Sequence, residues 1–207
     1  MDREAQYAAL LLDWRQRVNL TGARTLAELE PHLKDAHGLL EISWAGVTRA
    51  IDIGSGGGLP AIPLALALPG VRFTLLEASR RKVAFLQHVA GELRLDNVEV
   101  VDRRAEEAGR LPGYREAFDR AVSRAAARPA VLLELAVPFI RTGGDLVADV
   151  GAIDAAPLAP VAARLGASPP WIERTRAGQS VLRLRKLSPT PPEYPRRPGV
   201  PERRPLA

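Results

Sequence analysis

The chain of 207 residues contains no cysteine, which excludes disulfides, thiolate metal sites and cysteine nucleophiles. Its three histidines, His32, His37 and His88, are not spaced as a zinc set, so no metal is expected. No apolar run approaches the ~20 residues that a membrane span needs. Met1 leads into the polar Asp2-Arg3-Glu4, so no targeting or anchoring segment is expected and the cytoplasm is the expected compartment. Lysine is scarce, with only Lys34, Lys82 and Lys186, so arginine carries nearly all the positive charge of a chain whose net charge is +5. Guanidinium forks pair with phosphates and stack on bases, which fits an RNA partner. A genome rich in Arg, Ala and Pro codons gives the same bias, so charge alone does not identify that partner. The length suits one domain with a small extension.

The most informative stretch is Ala50-Ile51-Asp52-Ile53-Gly54-Ser55-Gly56-Gly57-Gly58-Leu59-Pro60, an apolar strand that runs into a glycine cluster and then a helix. Gly54 and Gly56 can adopt positive φ and let backbone amides approach a nucleotide closely. Pro60 is expected at the first helical position, where its missing N–H matters least. A dinucleotide fingerprint requires glycine where this chain has Leu59, so the spacing for a nicotinamide cofactor fails. Asp52 is expected to hydrogen-bond the loop amides. Glu77, closing the next strand, is expected to accept both hydroxyls of a ribose. The combination D-x-G-x-G with an acid ending the second strand resembles motif I of class I S-adenosylmethionine-dependent methyltransferases.

Before the glycine loop, Tyr7, Leu11, Trp14 and Val18 define one face of a helix over 2–18, and Leu26, Leu29, Leu33, Leu39 and Leu40 another over 25–42. Asn19-Leu20-Thr21-Gly22 separates them. Beyond it, strands are expected at 49–53, 71–76, 98–101, 118–123 and 145–150, with helices at 60–68, 79–93 and 129–140. This alternation implies a parallel sheet covered on both faces. A helix over 154–165 and an antiparallel hairpin, 171–175 and 180–187 around Ala177-Gly178, follow. The proline- and arginine-rich stretch 188–207 lacks periodicity and is expected to be extended along the surface. The expected organisation is an N-terminal helical extension (1–45), an α/β domain (46–187) and a C-terminal tail packed on it (188–207).

Ligands of open α/β sheets bind beyond the carboxyl ends of the strands. The candidate residues fall there: Asp52 to Leu59, Glu77, Arg103-Arg104-Ala105-Glu106 and Ser123-Arg124-Ala125 follow successive strands. Together with Asn19-Leu20-Thr21, His32-x-x-Asp35 and Tyr194-Pro195-Arg196-Arg197-x-Gly199-x-Pro201, they resemble the bacterial small-subunit ribosomal RNA guanine-N7 methyltransferases, the GidB/RsmG family. The resemblance covers nearly the whole chain, and its proline-arginine tail is more specific than the glycine loop.

The resemblance implies a Rossmann-like class I methyltransferase fold, S-adenosylmethionine as cofactor, and small-subunit ribosomal RNA or an assembling small subunit as partner of a monomer. Gly54 and Leu59 would contact the methionine and ribose parts of the cofactor, with Asp52, Gly56 and Gly58 completing the loop. Glu77 would hold the ribose, and Ala105 and Glu106 would lie along the adenine. Arg124 would reach the cofactor carboxylate or the incoming guanine. His32 and Asp35, with Asn19, would close over the pocket; helix–helix packing is the other role open to them. Arg196 and Arg197 would contact RNA phosphates, unless the tail simply lies along the surface. Arg124, His32 and Asp35 are thus the candidate catalytic residues. None need act as a base, because N7 of guanine carries a lone pair and no proton, and alignment alone can contribute ~7–11 kcal/mol.

Two departures from the family pattern bear on the RNA side. Where the family usually shows Lys-Gly after the fifth strand, this chain reads Ala148-Asp149-Val150-Gly151; Arg141 or Arg128 is the candidate replacement for the lysine. Asp35-Ala36-His37 stands in place of Asp-Ser-Leu. A noncatalytic RNA-binding or ribosome-assembly factor that keeps the fold is therefore an alternative. A methyltransferase acting on a small molecule or a protein is another, opposed by the arginine tail.

Overall fold

A computed structural model describes residues 2–124, 126–176 and 178–207. Ala125 of the expected Ser-Arg-Ala motif and Ala177 of the expected hairpin turn lie outside them. Two helices, α1 (Arg3–Trp14) and α2 (Leu26–Gly38), precede β1 (Arg49–Ile53). The chain then runs α3 (Ala61–Ala67), β2 (Arg72–Glu77), α4 (Arg80–Glu92), β3 (Val98–Asp102), α5 (Ala105–Ala108), β4 (Phe118–Arg124) and α6 (Pro129–Ala136). It ends with β5 (Ile140–Asp149), α7 (Ala159–Arg164), β6 (Trp171–Arg174), β7 (Ser180–Arg185) and α8 (Val200–Arg203).

Among the described residues the strands form one seven-stranded sheet in the order β3-β2-β1-β4-β5-β7-β6. The pairs among β1 to β5 are parallel, and β7 is antiparallel to both β5 and β6. This is the expected doubly wound α/β sheet ending in a hairpin. Its order reverses between β1 and β4, where a crevice opens at the carboxyl edge. Alternation along β1 sends Ala50 to one core and Ile51 and Ile53 to the other. The first core packs α1 to α4 through Tyr7, Leu11, Leu29, Leu33, Ile62 and Phe85. The second packs α6 and α7 and includes Tyr194 and Leu206 of the tail.

Register across β4 and β5 is held by charge. Buried Arg120 grips Asp145 with two bonds (2.8 and 2.9 Å), and Arg183 of β7 adds a third to the same carboxylate (2.7 Å). The pairing Arg120↔Asp145 places Arg124 opposite Asp149 at the carboxyl ends of the two strands.

Some boundaries differ from expectation. β5 begins at Ile140, not Asp145, and the helix expected from residue 154 is a single 3-10 turn (Ala156–Leu158) leading into α7. The tail is not simply extended along the surface. It ends in α8, with Tyr194, Pro201 and Leu206 buried.

Candidate active site

The loop after β1 takes its shape from glycine. Gly54 has φ 72° and Gly56 φ 55°, conformations that cost other L-residues about 1–2 kcal/mol. The amides of Gly54 and Ser55 donate to the Leu76 carbonyl at the end of β2 (2.9 and 3.1 Å). The Glu77 carboxylate accepts the Gly56 amide on one oxygen (3.0 Å) and the Ser79 amide on the other (2.8 Å), which leaves each oxygen spare acceptor capacity. Pro60 caps α3 from outside its first turn, one position earlier than expected, and follows a cis peptide.

Asp52 does not hold the loop amides; Glu77 has that task. Asp52 is fully buried, and among the described residues neither carboxylate oxygen has a hydrogen-bond partner within bonding geometry. Burial pushes its pKa up to about 8; the neighbouring Ser55 hydroxyl, whose hydrogen bond goes to the Asp52 carbonyl, opposes this, Glu77 acts in the same direction as burial and Arg124 against it. From the other side, the buried Tyr7 hydroxyl of α1 donates to the Gly57 carbonyl (2.7 Å). Burial raises its pKa, so it stays a neutral donor. A Cβ on Gly57 would lie 2.9 Å from the Leu20 carbonyl oxygen, so the α1–α2 connection sits directly on the loop.

Between these elements lies a cleft of about 420 Å³ lined by Leu20, Gly56, Leu59, Glu77, Lys82 and Arg124, among others. It presents one carboxylate and two cations, a set suited to a ligand carrying both signs of charge. Arg124 also faces α2, with Nη1 4.0 Å from the Asp35 carboxylate. One turn earlier, burial lowers the pKa of His32, reinforced by Arg124 and opposed by Asp35 and Asp149; its imidazole is neutral at neutral pH. Asp149 accepts Gln179 Nε2 (3.1 Å) and the Gly151 amide (3.3 Å). Asn19 is exposed at the rim beside Leu20.

A second cavity, about 380 Å³, shares Ala126 with the first and is lined by Arg104, Glu106, Val131, Gly199 and Pro201 among others. Glu106 is buried and accepts the Gly199 amide (2.9 Å), so the tail forms part of this wall. Ala105 begins α5 next to it. The tail is fastened by Arg115, which donates to the carbonyls of Tyr194 (2.7 Å) and Thr190 (2.6 Å), and by Arg196 on Glu134. Among the described residues no group of three or more His, Cys, Asp or Glu could hold a metal, and no helix is long and apolar enough to cross a membrane.

The family profile described as GidB, rRNA small subunit methyltransferase G, matches residues 2–160. The chain belongs to this family. It is 40% identical over 210 residues to the ribosomal RNA small subunit methyltransferase G of Moorella thermoacetica, an alignment covering 97% of this chain and 88% of the relative. With the protein of that name from Roseiflexus castenholzii the identity is 39% over 215 residues, covering 100% of this chain and 92% of the relative. Among solved structures, the S-adenosylmethionine-dependent methyltransferase SibL shares the fold at a TM-score of 0.65 and 15% identity, over 88% of this chain and 70% of its own.

Within this GidB chain the residues singled out by sequence fall into distinct groups. Gly54, Gly56, Leu59, Glu77 and Arg124 line one cleft, and Gly58 is buried behind it. His32 and Asp35 face Arg124 across its mouth. Glu106 lies in the adjoining cavity instead, its carboxylate engaged by the tail. Arg196, expected to meet RNA phosphates, is turned inward onto buried Glu134, whereas Arg197 is exposed. Arg141 cannot replace the missing lysine, because it sits at the opposite edge of the sheet on Asp119 (2.7 Å). Arg128 is held by Glu202 of the tail. His37, at the other departure, bonds Glu4 of α1 (2.8 Å) and so ties the first two helices together. Sequence reasoning missed Tyr7, Lys82 and Gln179 as site residues. Tyr7 reads as one more apolar position of α1, and only its hydroxyl hinted at more.

Proposed function

We propose that this chain transfers the methyl group of S-adenosylmethionine to N7 of a guanine in small-subunit ribosomal RNA. The observation that carries this reading is the position of Arg124, which lines the glycine-loop cleft and at the same time faces Asp35 and His32 of α2. Cofactor-side and acceptor-side groups thus meet at one strand end, in a member of a ribosomal RNA methyltransferase family.

The residues present fit the cofactor. Glu77 has lone pairs free for ribose hydroxyls, and Lys82 and Arg124 are cations suited to a carboxylate. Glu106 borders the adjoining cavity, with Ala105 next to it in α5, and an adenine would extend there past Ala126. S-adenosylmethionine held there would supply the methyl group to the N7 lone pair, the C–S electron pair leaving with sulfur, so no residue of the chain need remove a proton. The chain's work is alignment and exclusion of water. Arg124 fixes the boundary between the two reactants. His32, held neutral, offers a hydrogen bond without a charge that would repel the cationic base produced, and the carboxylate of Asp35 favours that charge.

On the RNA side, Arg197, Arg203 and Arg204 are exposed on the tail and Arg103 and Arg104 at the end of β3, a set suited to phosphates. Asn19 at the rim of the cleft is placed to meet the same strand. The chain acts as a cytoplasmic monomer in this reading. Among the described residues the exposed large hydrophobics are Leu26, Trp171 and Leu187, a small set compared with the apolar patches that mark subunit interfaces.

The test is transfer of labelled methyl from S-adenosylmethionine to small-subunit particles from a strain lacking this gene, followed by mapping. Label in N7-methylguanosine at one position is the expected result. Cofactor binding without transfer would favour the noncatalytic factor, and absence of cofactor binding would overturn the site.

A further inference from the structure

Asp149 lies at the carboxyl end of β5, directly opposite Arg124 in the β4–β5 register, and on the side where Asp149 and Asp35 both act on His32. Its carboxylate is braced, not free. Gln179 Nε2 donates to one oxygen (3.1 Å) and the Gly151 amide to the other (3.3 Å). Gln179 is itself seated against α2 at Gly38, where an added Cβ would fall within 2.4 Å of the Gln179 side-chain oxygen. That oxygen is buried without a partner among the described residues. The chain Gly38, Gln179, Asp149 therefore sets a carboxylate rigidly beside the acceptor-side residues. A carboxylate offers about four acceptor positions, and two remain open here.

We propose that Asp149, braced by Gln179, accepts hydrogen bonds from N1–H and the 2-amino group of the target guanine and so selects guanine for methylation. This rests on the function proposed above and adds the residue that reads the base. Guanine is the ribosomal RNA base that presents two parallel donors on its Watson–Crick edge, and a carboxylate is the side chain that accepts both. The edge bearing N7 stays free for the methyl group. As N7 gains the methyl the ring becomes cationic and its N1–H and amino donors strengthen, so the contact is tighter in the transition state than in the bound substrate. Asparagine at this position would keep the size, but it would place an amide donor against a guanine donor.

The experiment compares the wild-type chain, Asp149→Asn and Gly38→Ala on small-subunit particles reconstituted with ribosomal RNA carrying either guanosine or inosine at the mapped position. Inosine lacks only the 2-amino group. The wild-type chain is expected to show kcat/KM about tenfold lower on inosine. Asp149→Asn should lose about tenfold to a hundredfold on guanosine and distinguish the two bases no more than about twofold, with its Kd for S-adenosylmethionine unchanged in calorimetry. Gly38→Ala, which displaces Gln179 without touching the carboxylate, should narrow the discrimination in the same direction. If Asp149→Asn lowers both rates equally and keeps the ratio, the residue is structural and the proposal is wrong. Equal wild-type rates on the two bases, or loss of cofactor binding in the variant, would also overturn it. If the wild-type chain binds cofactor but labels no guanine N7, the proposed function itself has failed, a result distinct from all of these.

Discussion

Arg196 and Glu134 meet in a two-pronged ion pair, with Nε–Oε1 at 2.9 Å and Nη2–Oε2 at 2.6 Å, while the Arg196 amide donates to the same carboxylate at 2.8 Å. Glu134 is fully buried on α6, and its hydrogen bonds, helped by its charge, raise the pKa of the guanidinium. Removing the Arg196 side chain would leave a buried carboxylate without its counter-charge, with only the residue 196 amide still donating to it, a loss of about 3–5 kcal/mol. Arg196→Ala is therefore expected to lower stability by that order in urea unfolding and to release the tail. Unchanged stability would show that the pair does not clamp it.

Its neighbour behaves differently. Arg197 is exposed, so Arg197→Ala should alter stability by no more than about 0.5 kcal/mol. Its effect belongs to RNA binding, where one lost phosphate contact reduces the slope of log affinity against log salt by about one. Binding titrations at several salt concentrations would read this directly, and an unaltered slope would remove Arg197 from the interface.

Two glycines of the loop separate strain from ligand exclusion. A side chain at Gly54 would meet the Ala126 Cβ at 2.9 Å, whereas at Gly56 the nearest protein atom is 3.7 Å away. Gly54→Val would thus disturb the protein itself. Gly56→Ala places its methyl in open cleft space, at a backbone cost of about 1–2 kcal/mol. The expected outcome is a folded Gly56→Ala variant whose affinity for S-adenosylmethionine falls at least about tenfold by calorimetry. Wild-type affinity would mean that the ligand does not lie against this loop.

Asp52 makes stability depend on pH. Its pKa of about 8 in the folded chain lies above the value of about 4 in an unfolded chain, so the folded state holds the extra proton between those limits. Stability then falls as pH rises from about 4 to about 8 and is flat outside that window as far as this group is concerned. Asp52→Asn should remove the slope and be more stable than the wild-type chain by at least about 1 kcal/mol near pH 7.5, with no advantage at pH 4. Parallel curves for the two proteins would show that Asp52 does not titrate in this range.

The parallel sheet and the glycine loop were legible because their signals are local: alternating apolar strands and helices, and glycine where positive φ is needed. Glu77 could be placed for the same reason, since it closes a strand whose end is visible in the sequence. What stayed hidden depends on partners far along the chain. Arg196 resembles its neighbour Arg197 in sequence, yet Glu134, 62 positions away, gives it a different task. The shift of the loop amides from Asp52 to Glu77 has a similar origin, because which carboxylate reaches them depends on how β1 and β2 lie side by side. The Gly38–Gln179–Asp149 arrangement joins three elements and has no spacing by which it could be read.

Tyr7 supplies the remaining test of how the loop is held. Its hydroxyl lies in the first core and donates to the Gly57 carbonyl at 2.7 Å, so α1 contributes to the glycine-loop cleft although it precedes the first strand. Tyr7→Phe keeps the ring and its packing but leaves that carbonyl unsatisfied in a buried place, at about 1–3 kcal/mol. Part of the loss should appear as lower global stability. The rest should appear locally, because the segment from Gly56 to Gly58 would exchange between conformations before ligand binds, and affinity falls by the fraction of time spent out of the competent one. A severalfold weaker Kd for S-adenosylmethionine, with faster hydrogen exchange confined to the loop and the α1–α2 connection, is the expected result. If affinity and exchange both stay at wild-type levels, the bonds to Leu76 and Glu77 suffice to hold the loop, and α1 serves the core alone.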